Sequence, residues 1–188
     1  MRWEMLFADL AGQLAAAQAA DLDSAVADLT RAEAATIGVE DRLRAVVGQP
    51  VQLLLDGGLD LRGELREVSA DWLLLVAAGR EVLVPLRAVD ALRGLGVRAA
   101  PGSSMAGPDG RSVPRVTALS LGHVLRGIAR DRTVVQVRTA RREHVGRINR
   151  VGRDHLDLAP VSLDGRGGGG SADALVIAFS SIVHVSAT

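Results

Sequence analysis

The chain has 188 residues, with 22 arginines balancing 22 acids and neither lysine nor cysteine. Without cysteine it has no disulfide framework and no thiolate metal site, and a composition 48% hydrophobic and 23% charged excludes general disorder. The longest uncharged runs, 10–20 and 174–188, fall short of the roughly 18 apolar residues of a membrane span, and the MRWEM start lacks the basic end and apolar core of a secretory signal, so a cytoplasmic location without membrane contact is expected.

In chain order, Trp3, Phe7, Leu10 and Leu14 follow helical spacing, and Leu22, Val26 and Leu29 continue the stripe through an Ala-rich stretch without glycine between 13 and 37. Residues 1–38 are therefore predicted to form an amphipathic helix, or two helices joined near Asp21. The stripe must be covered by the rest of the chain or by another copy. A short helix, EDRLRAVVG, follows, and then the period turns strand-like in VQLLLDGG, LDLRGELREV, DWLLLVAAG, REVLVPL and RAVDAL.

The same pattern occurs twice. A shift of 83 places Gly63 on Gly146, Leu65 on Ile148, Val68 on Val151, Asp71 on Asp154 and Leu73 on Leu156, and a shift of 93 lays Val82 to Leu92 over Leu175 to Val185. The extra residues fall in the Gly-rich segment LDGRGGGGSAD, where a loop lengthens at little cost. LRAVVG at Leu43 matches LRGIAR at Leu125, so the leading helix repeats as well.

A short helix and five strands, with Gly57-Gly58 at a hairpin, Gly63 within the second strand and Asp71 entering the third, resemble the Sm-like fold; small SH3-like barrels share the pattern. The resemblance implies an α+β chain in which the N-terminal helix or helical hairpin precedes two duplicated five-stranded barrels, each led by a short helix. Its segments are 1–38, a first barrel 40–95, a linker 96–116 and a second barrel 117–188. Glycine at Gly63 and Gly146 would let the long second strand bend without a Cβ in the way, and the resemblance implies that the fourth strand of one barrel pairs with the fifth of the next, so that Val82 to Val84 or Leu175 to Ile177 meets another barrel's edge.

The resemblance also implies a base-binding pocket between an Asp-x-aromatic-x-Asn loop and a basic-Gly loop. In the first repeat Leu73, Leu75 and Pro85-Leu86 replace the expected residues; in the second only Asp154 is kept, but Arg153, His155 and Phe179 lie nearby. Stacking on Phe179 beside an arginine would hold a base. The alternative is packing, with Phe179 in the place of Leu86 and His155 copying Trp72.

Between Arg126 and Arg153, nine arginines stand against Asp131 and Glu143, a net charge of +7 in a chain that is neutral overall. Arg141, Arg142, Arg147, Arg150 and Arg153 lie on the hairpin joining the first two strands of the second repeat, and strict alternation would put Arg147 and Arg150 on opposite faces. No metal site is expected, because His144 and His184 stand where Leu61 and Ala91 stand in the first repeat, and GRGGGGS lacks the Lys-Ser/Thr of a phosphate loop. The expectation is a non-enzymatic, RNA-associated module, of ribosomal or RNA-metabolic type, without cofactor or small-molecule substrate. The alternative is an interaction scaffold that binds a protein partner or itself through barrel edges and the N-terminal helix.

Overall fold

The computed structural model describes residues 2–100, 119–161 and 174–188. Two compact units divide the chain, Met1–Gly38 and Val39–Thr188. Most of the segment between the repeats, and the Gly-rich segment, fall outside the described residues. No described helix is long and apolar enough to cross a membrane.

The first unit is one helix, α1 (Arg2–Thr36), which runs through Asp21 without a break. Its Ala-rich sequence sustains this length, since alanine loses least on entering a helix. Phe7, Leu14, Leu22, Val26 and Leu29 are 61 to 67% exposed; the side chains of Trp3 and Leu10 lie outside the description. A stripe of this size exceeds what soluble monomers usually present. Deleting residues 1–36 is therefore expected to change the oligomeric state or the solubility of the protein in sedimentation, and an unchanged monodisperse product would refute a covering role for the stripe.

The second unit begins with α2 (Val39–Arg44), followed by β1 (Pro50–Leu55), β2 (Leu59–Val68), β3 (Trp72–Ala77), β4 (Arg80–Pro85), a 3-10 turn (Leu86–Ala88) and β5 (Val89–Arg93). After residue 118 the order recurs as α3 (Leu121–Arg130), β6 (Val134–Thr139), β7 (Glu143–Val151), β8 (His155–Pro160), β9 (Leu175–Ala178), a 3-10 turn (Phe179–Ser181) and β10 (Ile182–Ala187). Details of backbone pairing repeat too. The β2–β3 register shifts between Leu65 and Glu67, and the β7–β8 register shifts between Ile148 and Arg150, the same place in each copy. Leu86 N–H donates to Asp71 O, and Phe179 N–H to Asp154 O.

The two closed barrels are not formed. All ten strands make one open antiparallel sheet in the order β5-β1-β2-β3-β4-β10-β6-β7-β8-β9, so the unit is mainly β. Closure would require the fourth and fifth strands of one repeat to pair. Instead β4 takes β10 as its partner, with Leu83 opposite Val185 and Val82 opposite Ser186. Once those backbone groups are used across the repeats, each five-stranded set remains open at its far end.

Two apolar clusters line the sheet, one per repeat, and the junction shares side chains between them. Val183 of the second repeat joins the first cluster, while Trp72 and Leu83 of the first repeat join the second. Leu43 on α2 and Leu125 on α3 are fully buried, anchoring each short helix with about 2 to 3 kcal/mol.

Candidate nucleic-acid interface

The residues expected to bind nucleic acid occupy separate places. Arg141 and Arg142 sit exposed in the β6–β7 turn, where Thr139 N–H donates to Arg142 O at 2.8 Å and Arg142 N–H donates to Thr139 Oγ1 at 3.1 Å. Arg147 and Arg150 lie on β7, and here the expected alternation fails. The register shift inserts Asn149, so Arg147 stands opposite Ala159 and Arg150 opposite Asp157, on one face, while Ile148 and Val151 stand opposite the buried Leu158 and Leu156. A bulge adds one residue and thereby restores both arginines to the outer side.

Arg153 and Phe179 do come together. With Arg87 and Arg126 they line a cavity of about 420 Å³ where the two repeats meet. The Phe179 ring packs on Gly122, its Cε2 3.4 Å from where a Cβ would stand there. Arg87 is already committed, donating to Ser180 O at 3.1 Å and Ile182 O at 3.3 Å; burial lowers its pKa, and Asp56 opposes that shift. His155 turns away to its neighbours, with Nδ1 2.8 Å from Asp154 Oδ1 and its ring over Gly152. That hydrogen bond is the main cause holding the Asp154 carboxyl below the usual carboxylate range, with Arg153 a minor one.

Arg126, Arg130 and His123 were not singled out among the candidate residues, although their spacing of three and four on a helix announces a shared face. With Asn149 and Arg150 they line a groove of about 520 Å³ between α3 and β7. Arg126 belongs to both depressions, so basic groups extend from Arg130 and Arg150 to Arg153 and Phe179.

Superposing the repeats by sequence shows how this face became basic. Arg44 on α2 is ion-paired with Glu40 and Asp41 at 3.4 and 2.7 Å. Its counterpart Arg126 keeps the guanidinium, but Gly122 and His123 stand where those acids were. Arg147 and Arg150 replace Glu64 and Glu67. In the first repeat Arg62 and Arg66 lie beside Asp60 and Glu64. Among the described residues none of Arg126, Arg130, Arg147, Arg150 and Arg153 forms an ion pair, and no group of three or more His, Asp or Glu is placed to hold a metal ion. Burial lowers the pKa of His184, whose Nδ1 has no hydrogen-bond partner there.

Comparison of the chain with protein-family models and with curated proteins found no match.

Proposed function

We propose that the protein acts without catalysis, in the cytoplasm, as a binder of single-stranded RNA. The face formed by α3, β7 and the Phe179 turn carries the contact. The observation supporting this reading is the charge reversal between otherwise equivalent repeats, in which acids that pair or flank arginines in the first copy give way to Gly122, His123, Arg147 and Arg150 in the second. Unpaired guanidinium groups pay no exchange of one partner for another when a phosphate arrives, and an aromatic ring beside them offers a stacking surface that tolerates any base.

The expected test is salt-dependent binding to an unstructured RNA oligonucleotide. Each phosphate neutralised on a single strand contributes about 0.7 to the slope of log affinity against log salt. Replacing Arg126, Arg150 and Arg153 together with alanine is expected to reduce that slope by roughly two. Phe179→Ala should weaken binding by about tenfold with the slope retained, since stacking releases no counterion. Arg62→Ala with Arg66→Ala should change neither. Absence of salt-sensitive binding in the unaltered protein, or equal losses in both arginine sets, would remove the RNA reading in favour of the scaffold.

A further inference from the structure

Two turns that belong to different repeats meet in the second unit. The β1–β2 turn, Asp56-Gly57-Gly58, leans so closely on the β6–β7 turn that a Cβ on Gly57 would stand 2.7 Å from Ala140 O and 3.1 Å from Ala140 Cα. Gly57 also has a φ of +78°, so glycine is required there by conformation as well as by space. The contact brings Asp56 of the first repeat into the wall of a cavity of about 380 Å³ that Arg141 and His144 of the second also line. This cavity shares no lining residue with the two basic depressions, and its volume lies at the small end of the range for ligand pockets.

Its lining combines apolar residues of the core with charged groups. Ile177 and Val183, both buried, belong to the apolar clusters. His144 stands opposite the buried Val137 and so faces the inner side of the sheet. The first repeat has Leu61 in that place, packed against its own cluster, and has Ala88 in the place of Ser181. The second repeat thus puts hydrogen-bonding groups where the first has apolar ones. Asp56 and Arg141 form no ion pair with each other or with another described residue. Arg87, whose charge acts on Asp56 from farther away, gives its guanidinium N–H groups to Ser180 O and Ile182 O.

A lone anion in this cavity would meet the Asp56 carboxylate and a lone cation the Arg141 guanidinium, and each repulsion is offset only by an opposite charge on the same ligand. The geometry points to a small zwitterion: we propose that the cavity binds a free α-amino acid with an apolar side chain of about leucine size. Its ammonium donates to Asp56, its carboxylate accepts from Arg141 through charge-assisted hydrogen bonds, and its side chain lies on Ile177 and Val183.

Calorimetric titration of the full chain with leucine, N-acetylleucine and leucinamide tests this, because each analogue keeps one of the two charges. A ligand this small is expected to bind with a Kd of about 1 mM, and each analogue about tenfold more weakly. Asp56→Asn is expected to bring leucine down to the level of N-acetylleucine, and Arg141→Ala to bring it down to the level of leucinamide. The analogue series on the unaltered protein decides the charge requirement even where a substitution disturbs folding, which circular dichroism monitors. No saturable binding of leucine up to about 10 mM would overturn the proposal. N-acetylleucine binding as tightly as leucine, which would mean an anion site only, or leucine binding untouched by both substitutions, which would place it elsewhere, would overturn it too.

Discussion

Trp72→Ala is expected to destabilise the second unit by about 3 to 5 kcal/mol, or on the order of 10 °C in thermal unfolding for a chain of this size. Trp72 is 2% exposed. It is the first residue of β3 in the first repeat, yet its ring packs in the cluster of the second, and its indole N–H donates to Leu119 O at 2.7 Å. Ser69 Oγ donates to the same carbonyl at 3.0 Å, and the Asp71 carboxylate accepts from Leu121 N–H at 3.0 Å. The β2–β3 connection of one repeat thus holds the start of α3 in the other, and α3 carries Arg126 and Arg130 of the basic face. Trp72→Phe keeps most of the apolar burial and loses only the indole bond, so about 1 to 2 kcal/mol is expected there. Denaturant unfolding of both variants separates the two contributions. A loss for Trp72→Ala no larger than that for Trp72→Phe would mean that the ring does not join the repeats.

The second large effect is expected at Gly146, where alanine should cost about 3 kcal/mol. Neither Gly63 nor Gly146 has a positive φ, so no left-handed backbone conformation calls for glycine there. What they supply is space. A Cβ on Gly63 would lie 2.5 Å from Val76 O, and one on Gly146 would run into Ala159 O and stand 2.9 Å from Ala159 C. The obstruction is backbone in both places and cannot swing aside, so the adjacent strand must shift. Gly127 on α3 provides the contrast, since a Cβ there meets nothing within 4 Å. Gly127→Ala is expected to stabilise by about 0.5 to 1 kcal/mol through helix propensity. Thermal unfolding of Gly63→Ala, Gly146→Ala and Gly127→Ala should rank them accordingly, and a tolerated Gly146→Ala would contradict the close approach.

Side-chain periodicity along short stretches of chain was enough to place the helical segment 1–38, the ten strands and the duplication, though not to choose between one helix and two, because burial of one face imposes a local rhythm on the residues that form it. The bulges were also legible in principle. Leu65 and Val68, like Ile148 and Val151, are apolar residues three apart within one strand, which only an inserted residue can bring to the same side. Strict alternation missed this and separated Arg147 from Arg150. Two features were decided by tertiary structure alone. The first is which edge is used within the chain: the resemblance implies that a fourth strand pairs with the fifth strand of another repeat, but that β4 takes β10, with Leu83 opposite Val185, and β9 does not take β5, is settled through N–H and C=O groups that every residue carries and that leave no trace in composition or spacing. The second is which arginines share a surface. Arg126, Arg150, Arg153 and Phe179 come from a helix, a strand, a loop and a 3-10 turn, so their proximity depends on how α3 lies against β7, set by packing of Leu121 and Leu125 into the cluster shared with Trp72.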